Sequence, residues 1–419
     1  MTGCIEFEHP YSVLAPGIWR AQMQLIPRSA PHQRRDAALS KVPELTEGML
    51  PFTFEVFNPT QDSIYIEIIN GKERIPVTNI SYGRNPETAR DTIRIHFPVY
   101  DTYITADIDG NKMDGFWYVP SKKDYKIPFS ARFGKNHRFT TLQKKPIMDV
   151  SGLWDTQFGE GDDKFPAIGS FEQKGNHLNG TFMTETGDFR FLEGTIQADK
   201  LYLSAFDGSH AFLFEAKINS DSTMFGSFRS GMHYQTTWTA HKNPNAQLKN
   251  PENLVQVKNT EPVDFSLPTA NHRTISLQDA PLAGKPTILQ IMGTWCPNCR
   301  DEGAFLAQYL RNHPQLQLNV IGLAFEKHDD PTKNFELIQN YKEKLKIPYD
   351  IVLAGKPKRE NIFKLLPQLE NFVAYPTMIF LDKNRQIVKT HTGFNGPATP
   401  EYDHFRKEFE QIIKEITKD

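Results

Sequence analysis

Residues 286–299 read Pro-Thr-Ile-Leu-Gln-Ile-Met-Gly-Thr-Trp-Cys-Pro-Asn-Cys, an apolar run that leads directly into two cysteines separated by two residues. The apolar run is typical of a buried strand, and Pro297 suits the first turn of a helix, where its missing N–H costs nothing. The pattern predicts a strand followed by a helix, with Cys296 at the exposed helix end and Cys299 one turn inside. Unpaired N–H groups and a partial positive charge at a helix N-terminus favour a thiolate over a thiol.

This placement indicates thiol–disulfide chemistry. Cys296 would attack a substrate disulfide, and Cys299 would resolve the mixed disulfide and release the reduced substrate. The alternative, half of a zinc site, needs two further ligands. The only other cysteine of the chain is Cys4, and no histidine pair stands nearby at ligand spacing. The sequence therefore favours a redox-active pair, and we expect neither a metal nor another cofactor.

The chain around this stretch, residues 261–419, alternates between strand and helix patterns. Further buried strands are predicted at 319–325, 349–353, 377–381 and 386–389. Helices are predicted at about 331–345, 360–366 and from 400 to the end, with apolar side chains at helical spacing. Strands that alternate with helices indicate an α/β domain with a central sheet.

Three motifs of this domain resemble those of the thioredoxin-like TlpA/ResA thiol–disulfide reductases of bacterial envelopes. They are Pro262-Val-Asp-Phe-Ser-Leu267, Gly293-Thr-Trp-Cys-Pro-Asn-Cys299 and Tyr375-Pro376-Thr377. The resemblance implies a thioredoxin fold in which the peptide bond before Pro376 is cis and faces the cysteine pair. It also implies that the backbone beside this proline pairs with an extended substrate. The residues expected to contact substrate are Trp295, Pro297, Tyr375 and Thr377.

The same resemblance assigns a proton-transfer role to one carboxyl group. Thioredoxins carry a buried aspartate six residues before the first cysteine, and here that position is Gln290, which cannot titrate. The ResA-like branch has a glutamate on the active-site helix instead, where this chain has Glu302. Its spacing from Cys299 keeps both on one helix face, so Glu302 could exchange a proton with Cys299 if burial raises its pKa. A peroxide-reducing relative would carry Thr at position 293, which is Gly here, so peroxidase activity is not expected.

The first part of the chain, residues 15–241, has the patterns of an all-β domain. Short alternating stretches recur, as in Phe52-Thr-Phe-Glu-Val-Phe57 and Ile64-Tyr-Ile-Glu-Ile-Ile69. The second stretch runs into Asn70-Gly71, which is a strong hairpin signal because both central turn positions need positive φ.

This β region repeats itself. Gly17-Ile-Trp19 is echoed by Gly152-Leu-Trp154, and the run Asp109–Trp117 by Lys174–Phe182, with a weaker third copy at Asp221–Phe228. The second glycine of each run is expected where a strand bends or approaches another backbone. We therefore predict two related antiparallel units, about 15–145 and 146–241, packed as meanders or closed into barrels. Residues 242–260 are polar with two prolines and are predicted to be a linker.

Composition limits the classes of partner. The 419 residues include 48 Lys and Arg against 50 Asp and Glu, a net charge of −2, which argues against a nucleic-acid-binding surface. No run approaches the roughly 18 apolar residues that span a bilayer. Met1-Thr-Gly-Cys4 resembles the end of a bacterial lipobox, so residues 1–14 are either a lipid-anchor segment attached through Cys4 or an ordinary tail with an incidental cysteine.

The sequence as a whole predicts a thiol–disulfide oxidoreductase of the bacterial periplasm or cell envelope. Its substrates would be protein disulfides, an unidentified membrane donor would re-reduce it, and its contact with the membrane would be a lipid anchor. Two alternatives stay open. The β region could carry the function as a binding or scaffold module, or the cysteine pair could act as an oxidant or isomerase, because the two residues between the cysteines do not set the redox poise.

Overall fold

The computed structural model of the protein describes residues 14–26, 47–60 and 63–418. In these ranges the chain forms two antiparallel β barrels followed by an α/β domain around a five-stranded sheet. Cys4 lies outside the described residues, and the prediction of a lipid anchor with it.

The first barrel is built from consecutive antiparallel strands. They are β1 (Gly17–Gln24), β2 (Met49–Thr60), β3 (Ser63–Asn70), β4 (Glu73–Val77), β5 (Asn79–Arg84), β6 (Asp91–Phe97), β7 (Thr102–Asp109), β8 (Lys112–Tyr118) and β9 (Lys126–Phe133). β1 pairs with both β2 and β9. Only Thr78 separates β4 from β5, and this stretch pairs with β3 through its first half and with β6 through its second. The sheet therefore curls round upon itself.

The second barrel repeats this arrangement. Its strands are β10 (Gly152–Phe158), β11 (Phe165–Lys174), β12 (His177–Thr184), β13 (Gly187–Asp188), β14 (Leu192–Gln197), β15 (Lys200–Phe206), β16 (Ala211–Ile218), β17 (Thr223–Ser230) and β18 (Tyr234–Lys242). β10 pairs with β11 and β18, and β12 pairs with β11 and β14. These pairings close the ring of strands, which removes exposed sheet edges.

The two barrels start with the same local structure, as the repeated Gly-x-Trp motif predicts. The Trp19 indole N–H donates to the Ala15 carbonyl at 2.9 Å, and the Trp154 indole N–H donates to the Val150 carbonyl at 2.8 Å. Both rings are completely buried among inward-facing apolar side chains. Each tryptophan thus fills its barrel while its polar edge is satisfied by the preceding turn.

The α/β domain follows the predicted alternation of strands and helices. Its elements are β19 (Ser266–Pro268), β20 (Thr274–Ser276), β21 (Thr287–Met292), α1 (Pro297–Asn312), β22 (Asn319–Phe325), α2 (Pro331–Lys344), β23 (Asp350–Gly355), α3 (Arg359–Leu365), β24 (Thr377–Leu381), β25 (Ile387–Thr392) and α4 (Tyr402–Ile416). The main sheet has the order β23-β22-β21-β24-β25, in which the first three strands are parallel and the last two antiparallel. The central strand β21 is buried along its whole length, and the cysteine motif follows its carboxyl end. In the described ranges we find no helix of the length and apolar character that a membrane crossing needs.

Part of the predicted linker is bound to the α/β domain. Val257 forms an antiparallel bridge with Leu369, the Lys258 N–H donates to the Gln368 carbonyl at 2.8 Å, and Val255 is buried. Residues 242–260 are mostly polar, so their composition did not indicate this short apolar contact. The stretch that connects the second barrel with the α/β domain is therefore shorter than the sequence suggests.

Candidate active site

The two cysteines of the strand-to-helix junction form a disulfide in the structure, with their Cα atoms 5.2 Å apart. Cys296 is the N-cap residue of α1, and its Sγ accepts the Cys299 N–H at 3.2 Å. The Cys296 side chain is 6% exposed, whereas Cys299 is fully buried. The outer sulfur is therefore the one that an incoming thiol or disulfide can reach, and it lies where a helix N-terminus stabilises negative charge.

Glu302 lies one turn further along α1 and is fully buried. Its Oε2 accepts a hydrogen bond from the Gln290 amide at 2.9 Å, while the buried Oε1 has no hydrogen-bond partner. Burial raises the pKa of this carboxyl to about 8, against which the Gln290 hydrogen bond acts only in part. A carboxyl group with this pKa holds its proton at neutral pH and can exchange it there.

Gln290 takes part in the site although it cannot titrate. Its amide nitrogen also donates to the Cys299 carbonyl at 3.3 Å, and its amide oxygen accepts the Tyr349 hydroxyl at 3.0 Å. The Tyr341 hydroxyl donates to the same Cys299 carbonyl at 2.8 Å. This buried network orients Glu302 beneath the cysteine pair. The sequence offered no signal for the two tyrosines beyond their apolar spacing.

A second buried carboxyl group, that of Glu326, is hydrogen-bonded to the residue two positions before Cys296. Glu326 accepts the Thr294 N–H at 2.8 Å and the Thr294 hydroxyl at 2.9 Å, and burial raises its pKa to about 7. No motif in the sequence indicated a role for Glu326. A signal was present, because Glu326 follows strand β22, and the carboxyl ends of parallel strands meet at one edge of the sheet.

The loop before β24 faces this junction. The peptide bond between Tyr375 and Pro376 is cis, as the family resemblance implies. The Tyr375 ring lies edge-on to the Trp295 ring with a centroid distance of 5.3 Å. The Trp295 indole N–H donates to the Phe325 carbonyl at 2.9 Å, and the Lys327 ammonium lies 3.9 Å from its ring centroid. These contacts hold the two aromatic rings beside the disulfide.

A cavity of about 260 Å³ opens at the disulfide, and it brings together four of the predicted site residues: Trp295, Cys296, Pro297 and Tyr375. Pro376 and Thr377 are buried and do not line this cavity. The Thr377 hydroxyl donates to the Ala374 carbonyl at 2.8 Å, within the loop itself.

The opposite wall of this cavity comes from the second barrel, which no motif in the sequence connects with the cysteines. The stretch 184–190, which we call the barrel flap, contributes Thr184 and Phe189, and β16 contributes Phe212. The barrel flap also contacts the active-site helix, because the Asn298 amide donates to the Asp188 carbonyl at 3.3 Å. No local pattern in the sequence predicts a contact between residues so far apart in the chain.

Comparison with known proteins places the similarity in the C-terminal part of the chain. The AhpC/TSA family matches residues 259–390. The thioredoxin-like protein YneN of Bacillus subtilis is 26% identical over 130 residues, which cover 31% of this chain and 68% of YneN. The thiol-disulfide oxidoreductase ResA of Bacillus thuringiensis is 22% identical over 157 residues, 38% of this chain and 77% of ResA.

Among solved structures, a thiol:disulfide interchange protein of the thioredoxin family from Chlorobium tepidum is 21% identical to the chain. The match covers 38% of this chain and 98% of that protein, with a TM-score of 0.29. The parallel–antiparallel sheet and the cysteine pair at the start of α1 agree with the family match for this part of the molecule. Residues 259–390 thus match the AhpC/TSA family model and lie in a C-terminal domain of thioredoxin-like fold, which is preceded by a β-rich extension.

Proposed function

We propose that the protein is a thiol–disulfide oxidoreductase that exchanges disulfides through Cys296 and Cys299. The observation that carries this proposal is the disulfide at the N-terminus of α1, whose outer sulfur accepts the Cys299 N–H and lines an open cavity. Similarity to ResA, which is named as a thiol-disulfide oxidoreductase, supports the same chemistry.

In the reducing direction, the Cys296 thiolate attacks one sulfur of the substrate disulfide and releases the other as a thiolate. Cys299, once deprotonated, then attacks the Cys296 sulfur and releases the second substrate thiol. The substrate gains two electrons, and the cysteine pair becomes the disulfide seen here. A dithiol donor must return those two electrons before the next cycle.

Glu302 and the proline loop assist these steps. Glu302 accepts or returns the Cys299 proton, which its pKa of about 8 allows near neutral pH. The backbone beside Pro376 aligns the substrate with Cys296, and the rings of Trp295 and Tyr375 form the floor on which it lies.

We further propose reduction of protein disulfides in the bacterial cell envelope, with a membrane dithiol protein as the electron donor and a lipid on Cys4 as the anchor. The resemblance to envelope reductases supports this setting. The reduction potential of the pair decides the direction of exchange, since reductants of this fold lie at about −270 mV and strong oxidants at about −120 mV. A measured value near the second figure would make the protein an oxidant.

The mechanism is tested by trapping. Cys299→Ser, incubated in its reduced form with a disulfide substrate, should accumulate a covalent mixed disulfide on Cys296 because no resolving thiol is present. Non-reducing electrophoresis and mass spectrometry detect this adduct. Cys296→Ser should show neither adduct nor turnover, and Cys4→Ser should behave as the unmodified chain does. A Cys299→Ser protein that releases reduced substrate at the normal rate would disprove the assignment of roles.

A further inference from the structure

The barrel flap stands over the reactive sulfur. Across the cavity from Trp295 and Cys296 lie Thr184 and Phe189 of the second barrel, together with Phe212 of β16. The cysteine pair therefore does not open onto a bare surface of the α/β domain. A substrate must enter a chamber with one wall from each domain.

The flap is held tightly against the α/β domain. The Asp188 carboxylate accepts the Gly396 N–H at 2.6 Å and, within the flap, the Arg190 N–H at 2.6 Å. Gly187 lies so close to Asn298 that a Cβ atom at position 187 would overlap the Asn298 amide nitrogen. Its φ of 129° also suits glycine alone.

A buried ion pair fastens the same flap to the active-site helix. The Arg190 guanidinium forms salt bridges with Asp301 of α1 and with Glu73 of the first barrel. The Arg190 side chain is 7% exposed. Loss of one partner from an ion pair that is buried in this way strongly destabilises a protein. The wall that the barrel flap forms is therefore a stable part of the folded site.

We infer that the second barrel determines the class of substrate. The chamber admits a slender disulfide, by which we mean one whose neighbouring groups are small or extended, but not a disulfide on the surface of a folded protein. This inference rests on the proposed function. The chamber is open to solvent and holds about 260 Å³, whereas a closed cavity of about 150 Å³ accommodates benzene, so only the part of a substrate next to its disulfide has to fit between the two walls. The space thus fits a disulfide with one or two small groups on either side. Such a disulfide belongs either to a small molecule or to an unfolded peptide segment.

The test uses the reduced full-length chain and three oxidants: bis(2-hydroxyethyl) disulfide, an unstructured peptide with one internal disulfide, and native ribonuclease A. Each rate constant is divided by that of dithiothreitol with the same oxidant, which removes differences in intrinsic reactivity. We expect the small disulfide or the peptide to react at least about tenfold faster than ribonuclease A on this scale, since exchange depends on access to the attacked sulfur. Preference for one of the two slender oxidants identifies the source of the substrate.

A matched pair of variants tests the wall itself. Thr186 lies exposed at the rim of the chamber, and Thr239 lies exposed on β18 of the same barrel, outside the chamber. Thr186→Trp should lower the rate with the small disulfide by about tenfold through lost access, and Thr239→Trp should leave it unchanged. Equal rates for the folded and slender oxidants, or no effect of Thr186→Trp, would overturn the inference. Absence of exchange with all three oxidants would instead remove the proposed function.

Discussion

At the scale of single residues, the chemistry of the site depends on what surrounds two carboxyl groups. Glu302 and Glu326 are both almost fully buried, and burial raises the pKa of Glu302 to about 8 and that of Glu326 to about 7. Glu302 accepts one hydrogen bond, from the Gln290 amide, and its Oε1 has no partner, whereas Glu326 accepts two hydrogen bonds from Thr294. Because fewer hydrogen bonds stabilise its charged form, Glu302 keeps its proton to a higher pH than Glu326 does.

The raised pKa of Glu302 predicts how the free energy of unfolding depends on pH. The folded state raises the Glu302 pKa from 4.5 to about 8, so folding retains a proton that the unfolded chain releases. The stabilising contribution of this group is complete below pH 4.5 and is lost as the pH rises through 8. Glu302→Gln removes this loss, which at its steepest is about 1.4 kcal/mol per pH unit.

Urea unfolding of the oxidised chain at several pH values measures this effect. The stability of Glu302→Gln should fall less steeply between about pH 5 and pH 8 than that of the unmodified chain. Glu415→Gln, on the exposed side of α4, should keep the original slope. Parallel curves for all three proteins would contradict the assignment of a buried, protonated Glu302.

At the scale of elements, the two barrels depend on close contacts between neighbouring strands. The three repeated runs each place a glycine against the backbone of an adjacent strand: Gly115, Gly180 and Gly226. A Cβ atom on them would overlap the carbonyl oxygens of Thr105, Ser170 and Glu215, respectively. The repeat in the sequence therefore reflects a repeated steric requirement, because only a residue without Cβ permits this approach.

Substitution of these glycines tests that requirement. Gly115→Ala and Gly226→Ala should each destabilise the protein by about 1–3 kcal/mol, because the neighbouring backbone must move. Gly83→Ala in β5 is the control, since its Cβ would meet only the Thr92 hydroxyl, at 3.1 Å. Thermal or urea unfolding measures the three variants. A loss no larger than that of Gly83→Ala would show that the strands can relax around the added methyl group.

At the scale of the whole molecule, Arg190 connects all three bodies. It lies in the second barrel and forms buried salt bridges with Glu73 of the first barrel and Asp301 of the α/β domain. Asp207 of its own barrel lies nearby, with its Oδ2 3.9 Å from the Arg190 Nε. The three carboxylates surround a single guanidinium, so its removal would leave buried negative charge uncompensated.

Arg190→Met should therefore cost about 3–5 kcal/mol of stability. Loss of this connection should also loosen the barrel flap and increase the rate at which dithiothreitol reduces the Cys296–Cys299 disulfide. Arg74→Met is the matched control, because Arg74 forms its salt bridges with Glu55 and Glu67 in a much more exposed place; its cost should be about 0–1 kcal/mol. Urea unfolding and a thiol-release assay measure the two effects. Equal behaviour of the variants would show that Arg190 does not hold the bodies together.

Local pattern was sufficient for much of the architecture. Apolar periodicity placed the helices and the five main-sheet strands of the α/β domain within a few residues of their observed bounds, because a buried face imposes its period on the sequence. It did not predict the short strands β19 and β20. The Asn70-Gly71 pair and the repeated glycine runs predicted hairpins, since few residues tolerate the backbone conformations of tight turns. The first of these hairpins turns one residue later than predicted, at Gly71 and Lys72, because Asn70 is the last residue of β3 and pairs with Glu73; Gly71 has a φ of 56°, whereas Asn70 does not have positive φ. The position of the Cys296–Cys299 pair could also be predicted from the sequence, because the buried strand, the proline and the start of the helix follow one another directly in the chain.

The amino-acid sequence by itself thus determined the cysteine pair, its helix and the β character of the extension, all of which depend on neighbours along the chain. Three features were decided by the tertiary structure alone. Tyr349 and Gln290 form a chain of hydrogen bonds to Glu302, and Glu326 accepts hydrogen bonds from Thr294. The barrel flap forms one wall of the cavity at the disulfide. The physical reason is separation: Asp188 and Asn298 meet across more than a hundred residues. Contacts of that kind arise from domain packing, which leaves no period or motif in either segment.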